Sequence, residues 1–181
     1  MPISFPRRLE DNPSHLNYPG GNDRVVYGEG LFVGYKYYDQ MKTEPLFPFG
    51  FGLSYTTFAY SNVRLSSDVL AVGGAEPRAT TVTVDTTNTG STAGKEVVQF
   101  YVSQTSTPRL IRPKRELRAW AKVLVEPGQT RAVSATLDFE SVCYWDDRLH
   151  RWVVDPGARF EVIAAAHARD PGISASFCAA A

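Results

Sequence analysis

The chain has 181 residues, a length at which one domain buries roughly 70% of the surface its unfolded form exposes. Nineteen Lys and Arg balance nineteen Asp and Glu, so no global field points to nucleic acid or an anionic membrane as partner. Apolar runs such as Val162–Ala166 fall far short of the ~20 residues that span a bilayer, and the polar opening Met1–His15 has no signal-peptide core, so a soluble chain without its own address is expected.

In chain order, residues 1–56 read as an irregular arm. From Tyr27 to Tyr60 there are eleven aromatics, half of the chain's total, interleaved with Gly28, Gly30, Gly34, Gly50 and Gly52. Pro45, Pro48 and these glycines break any long element, leaving extended loop with one short helical turn near Val33–Asp39. Large apolar side chains without a regular element to bury them are expected to lie against another surface.

From residue 57 the pattern changes to short β-runs separated by turn signals. Ala59–Leu65 is the first. Thr80–Thr86 follows, with Val82 and Val84 on one face, and Asn88-Thr89-Gly90 is read as a turn made of residues that accept positive φ cheaply. Glu96–Val102 places Val98, Phe100 and Val102 on one face and Val97, Gln99 and Tyr101 on the other. Leu117–Val125 is closed by Glu126-Pro127-Gly128-Gln129, a type II turn with Gly at the left-handed position. Arg131–Leu137 resumes the alternation, and a helical turn is expected at Phe139–Val142.

Tyr144-Trp145 and Trp152-Val153-Val154 flank a polar tip as a hairpin, with strand alternation expected to point at least one of the two tryptophans inward. After the Pro156-Gly157 turn, Phe160, Val162 and Ala164 mark another strand, and Ile173–Phe177 is read as the last edge. About seven short strands argue for a mainly β chain: an immunoglobulin- or fibronectin type III-like antiparallel β-sandwich over residues 57–181.

Chemical candidates are few. Cys143 and Cys178 are too few for a disulfide framework and lack zinc-ligand spacing, and His15, His150 and His167 lie far apart, so no metal or cofactor is expected. Sugar hydrolysis needs two carboxyl groups about 5–9 Å apart, for which Asp146, Asp147, Glu29 and Glu161 are the candidates. Neighbouring aspartates on a hairpin tip are ordinarily solvated turn formers. Glu29, between Gly28 and Gly30, suits a hydrogen bond or salt bridge at a domain contact. Cys143 reads as a small core residue and His150 as a surface one. No nucleophile elbow and no phosphate-binding glycine loop is present. Arg109, Arg112, Lys114, Arg115 and Arg118 read as charges guarding an edge strand.

The run Tyr27-Gly28-Glu29-Gly30-Leu31-Phe32-Val33-Gly34-Tyr35-Lys36-Tyr37-Tyr38-Asp39 and the run Pro45-Leu46-Phe47-Pro48-Phe49-Gly50-Phe51-Gly52-Leu53-Ser54-Tyr55 together resemble a known segment. It joins the sugar-hydrolysing domains of family 3 glycoside hydrolases, β-glucosidases above all, to their C-terminal fibronectin type III-like domain. Asn88-Thr89-Gly90, Gly94-Lys95-Glu96-Val97-Val98, Lys114-Arg115-Glu116-Leu117 and Trp152 through Pro156-Gly157 to Phe160-Glu161-Val162 agree in order. Phe51 stands where His or Tyr is common, and Ala168-Arg169-Asp170-Pro171 is a variant of a Ser-Arg-Asp stretch.

The resemblance implies that the nucleophilic aspartate and the general acid lie upstream, so no catalytic residue is carried onto this chain. It implies a role in stabilising catalytic domains in cis, with Tyr27, Glu29, Phe32, Tyr35, Tyr37, Tyr38, Phe47, Phe49 and Phe51 as docking residues. The alternative from the residues is a freestanding β-sandwich that binds a polysaccharide or a partner protein, through stacking of Trp145 and Trp152 on sugar rings.

Overall fold

A computed structural model describes residues 1–72 and 79–180. Among them ten strands occur: β1 Phe58–Leu65, β2 Val69–Ala71, β3 Thr80–Asn88, β4 Gly94–Gln104, β5 Glu116–Val125, β6 Thr130–Leu137, β7 Tyr144–Asp146, β8 Arg151–Val153, β9 Arg159–Ala165 and β10 Ile173–Ala180. Two short helices accompany them, α1 at Tyr35–Met41 and α2 at Phe139–Val142. A three-stranded sheet, β1-β3-β6, faces a five-stranded one, β2-β10-β9-β4-β5, and β7-β8 form a separate ribbon. This is the expected mainly β sandwich, and its strand count exceeds seven because β2, β7 and β8 are three-residue pieces.

Period-two alternation builds the core. Val82 and Val84 of β3, Val133 and Leu137 of β6, Val98, Phe100 and Val102 of β4, and Phe160, Val162 and Ala164 of β9 are all buried in one cluster. Phe100 fits because alanines flank it on both sides, Ala119 in β5 and Ala164 in β9. Phe160 stacks on Phe177 across β9-β10 with centroids 5.5 Å apart. Each such ring contributes about 1.5–3 kcal/mol on burial.

Three local readings are corrected. Ile173–Phe177 is not an edge: the strand runs to Ala180 and β2 pairs parallel outside it, Cys178 opposite Val69. Three residues are too few for any period to reveal β2. Asn88 and Gly90 are absent from the positive-φ positions, which include Gly128 and Gly157, so the Asn88-Thr89-Gly90 motif does not act through left-handed backbone. Asn88 instead closes β3 as a buried side-chain bracket, donating to Thr92 O at 2.8 Å and Val125 O at 2.9 Å and accepting from Gly90 N at 3.0 Å. Gly90 is needed because a Cβ there would strike Thr56 Oγ1.

Neither hairpin tryptophan enters the core. Trp145 and Trp152 are directly opposite in β7-β8, hence on one face; they meet edge to face at 5.6 Å and are 45% and 58% exposed. Alternation then sends Asp146 inward, where it is buried and accepts from Arg148 N and Leu149 N at the turn while pairing with Arg109. Asp147 alone is the solvated turn former.

Candidate docking face of the arm

The arm folds back onto the outer face of the five-stranded sheet. In α1, Tyr35, Tyr38 and Asp39 share one side at i, i+3, i+4 spacing; Tyr38 and Asp39 are buried and Tyr35 half-buried. The α1 start falls two residues later than read, because Gly34 supplies the cap at positive φ and Lys42 the left-handed exit.

Tyr35 meets Tyr101 edge to face at 5.8 Å and Phe49 at 5.5 Å. With Ile163, Ala165 and Ala168 these rings form a second apolar cluster. Tyr35 Oη accepts a hydrogen bond from Leu117 N at 2.8 Å, and Phe49 O accepts one from Ala168 N at 2.9 Å. Gly50 follows at φ +85°, and a Cβ there would strike the Gln99 amide. That amide is itself engaged, donating to Ala166 O at 2.6 Å and accepting from Tyr101 Oη at 2.6 Å.

The basic cluster stands beside β5, an edge strand as read, and Lys114, Arg115 and Arg118 also reach into this junction, whereas Arg109 pairs with Asp146 of the ribbon. Arg112 is buried, bonding Glu116 at 3.0 Å and Val142 O at 2.7 Å, with its guanidinium over the Tyr144 and Phe160 rings. Lys114 Nζ donates to Asp39 O at 2.9 Å, and Arg115 donates to Asp170 O at 2.9 Å while lying over Tyr101. Burial alone would lift the Glu116 carboxyl, but Arg118, Arg112 and Lys36 around it hold it below its ordinary value. Arg169 forks between Asp39 at 3.0 Å and Glu44 at 2.6 Å. Asp39 keeps a buried, unpartnered Oδ2, and burial pushes its carboxyl up against the pull of Arg115, Arg169 and Lys114. Asp39, Glu44 and Arg169 were not singled out from the sequence; the variant Ala168-Arg169-Asp170-Pro171 stretch was the signal that could have found them.

The residues read as docking positions therefore separate. Tyr35 and Phe49 contact the sheet and Tyr38 is buried at 5.6 Å from Tyr37, while Phe47 and Phe51 stack on each other at 5.4 Å beside His167. Tyr27, Glu29 and Phe32 stand away from the sandwich. Tyr27 is 86% exposed, and Glu29 and Phe32 line a cleft of ≈ 650 Å³ with residues 10–17 and α1. Among the described residues, large apolar side chains left exposed on the arm include Leu16, Tyr18, Val26, Leu31, Leu53 and Tyr55. The arm is thus pinned to the sandwich through Tyr35 and Phe49 and leaves large apolar side chains uncovered elsewhere.

Residues 96–168 match the fibronectin type III-like domain family. A probable β-glucosidase I of Aspergillus fumigatus is 43% identical over 164 residues, which cover 90% of this chain and 19% of that protein. Thermostable β-glucosidase B of Acetivibrio thermocellus is 42% identical over 167 residues, 92% of this chain and 21% of that protein. A crystal structure of β-glucosidase from Kluyveromyces marxianus superimposes with TM-score 0.87 and 34% identity over 99% of this chain and 20% of that one. β-Glucosidase 3B of Thermotoga neapolitana, in complex with α-D-glucose, gives TM-score 0.86 and 34% identity over 99% of this chain and 24% of that one. The chain spans about a fifth of the length of the curated relatives it matches.

Proposed function

The chain belongs to the C-terminal, fibronectin type III-like regions of family 3 β-glucosidases, and on that premise we propose that it buttresses the catalytic domains of such an enzyme in cis. Residues 1–56 are the arm that leads from an upstream α/β domain, and residues 57–181 are the sandwich that braces it. The polypeptide as a whole hydrolyses β-glucosides, and this portion alone does not. The observation that carries the reading is the set of large apolar side chains the arm leaves uncovered, Leu16, Leu53 and Tyr55 being more than nine-tenths exposed, while the same segment is pinned to the sandwich through Tyr35 and Phe49. Large apolar side chains left exposed in number on an otherwise anchored segment mark a contact with another folded unit.

The test is a chimaera in which this chain replaces the matching C-terminal region of the Acetivibrio thermocellus relative. Hydrolysis of p-nitrophenyl β-D-glucoside close to the parent's, against none by the isolated chain, supports the reading. A soluble chimaera that unfolds in two independent transitions and leaves the arm open to protease overturns it. Exposed Trp145 and Trp152 favour a second reading, a polysaccharide-binding module.

A further inference from the structure

Away from the sandwich, the arm holds a carboxylate oxygen that nothing answers. Residues 27–32 fold as two successive turns, Tyr27 O accepting from Gly30 N at 3.4 Å and Glu29 O from Phe32 N at 3.0 Å. They set Glu29 into the wall of the ≈ 650 Å³ cleft, whose lining also includes Glu10, Leu16, Phe32 and Tyr37. Glu29 Oε2 is buried and has no hydrogen-bond partner. No Lys or Arg is among the residues that line the cleft, and Glu10 adds a second carboxylate.

We infer that this cleft is a socket for an arginine side chain presented by the catalytic portion of the same polypeptide. The inference rests on the docking reading above and names the chemistry of its central contact. A desolvated carboxylate oxygen is unfavourable unless a cation or donor meets it. Asn12, Asn17, Gln40 and Tyr37 line the cleft, yet none bonds Glu29 Oε2 and no lysine or arginine is among the lining, whereas Phe32 and Tyr37 supply aromatic surface of the kind on which a guanidinium stacks. Leu16 and Met41, both strongly exposed, line the same cleft as apolar surface that an incoming partner covers, the arrangement of a desolvated contact inside a water-excluding ring. The relatives are several times longer than this chain, so the occupant has a source in cis.

The experiment compares Glu29→Gln in the isolated chain and in the chimaera. In the isolated chain, neutralising a half-buried carboxylate with one unpartnered oxygen raises the melting temperature by about 2 °C. In the chimaera the same change removes one partner of an ion pair and lowers the melting temperature by about 3 °C or more. Glu29→Lys lowers it further and opens the arm to protease. The reversal of sign between the two settings is the signature of the socket.

A rise in both settings with the arm still protected in the chimaera overturns the socket and leaves the docking reading standing. An arm cut equally fast in chimaera and isolated chain overturns both. If the isolated chain sediments as a dimer that Glu29→Lys dissolves, the occupant is a second copy and the proposal is wrong.

Discussion

Tyr35 and Tyr101 meet edge to face, 5.8 Å between ring centroids, across the outer surface of the five-stranded sheet. Tyr101 lies in β4 and Tyr35 in the arm's helix, 66 residues earlier by number. The contact makes the arm part of the sandwich's hydrophobic structure, because β4 then buries both of its faces: Val98, Phe100 and Val102 toward the core, Gln99 and Tyr101 beneath the arm. Sheets covered on both sides read as near-continuous apolar runs, as Val97-Val98-Gln99-Phe100-Tyr101-Val102 does.

Tyr35→Ala removes a ring from this cluster and leaves Leu117 N without its acceptor. A loss of about 3 kcal/mol in the stability of the isolated chain is expected, read as a lowered urea midpoint. Tyr35→Phe keeps the ring and loses only the acceptor, for about 1 kcal/mol. Equal effects from the two variants would mean that the hydroxyl, not the packing, holds the arm.

Asn88→Leu tests the side-chain bracket at the end of β3. Its amide serves Thr92 O, Val125 O and Gly90 N, so an apolar side chain of similar size strands three backbone groups at a fully buried position. About 3 kcal/mol or more is lost in chemical denaturation. A left-handed turn role would instead predict tolerance of Asn88→Gly, which the side-chain bracket does not allow.

Arg112→Lys keeps the charge but not the fork. The guanidinium bonds Glu116, Gln104 and the Val142 carbonyl at once while lying over Tyr144, which an ammonium cannot reproduce. Stability falls by about 2 kcal/mol, and Arg112→Ala costs more because Glu116 loses a partner inside the junction. Thermal melts of the two variants check the order.

Two carboxylates give opposite pH slopes. Burial holds Asp39 above its unfolded value, so the folded state binds the extra proton and stability from this group is lost as pH rises through its raised value. Arg118, Arg112 and Lys36 overcome the burial of Glu116 and hold it below its unfolded value. Its contribution is therefore present above the unfolded value and lost as pH falls through the lowered one. The stability difference between wild type and Asp39→Asn should shrink from pH 4 to 7, and that between wild type and Glu116→Gln should grow from pH 3 to 5. Denaturation midpoints across those ranges decide both signs.

Retention on insoluble glucan separates the buttress from the polysaccharide module. The buttress predicts that the isolated chain stays in the supernatant. Retention that Trp145→Ala and Trp152→Ala abolish, with unchanged melting temperature, transfers the function to the ribbon.

The positions of the longer strands, turns at Gly128 and Gly157, the core face of β4 and the helical turn at Phe139–Val142 were legible because each depends on a period or a residue preference within a few positions. The family resemblance was legible for a similar reason, since its motifs are contiguous runs. Trp145 and Trp152 were read wrongly because alternation says that neighbours differ in face without saying which face is inward. The choice was made by Asp146, whose buried carboxylate is satisfied by the hairpin turn and Arg109.

The sequence by itself determined a mainly β chain, the order of its strands, and an arm too aromatic to stand in water alone. Only the tertiary structure decided where that arm goes. Asp39 and Arg169 are 130 positions apart, and Tyr35 and Leu117 are 82 apart; such pairs carry no periodic signal, since their attraction appears only once the sheet has brought them together. For the same reason the basic cluster, which does stand beside the edge strand β5, gave no sign in the sequence of its tie to the arm through Lys114 and Asp39. Charge is readable residue by residue, but desolvation depends on what the rest of the chain lays over it.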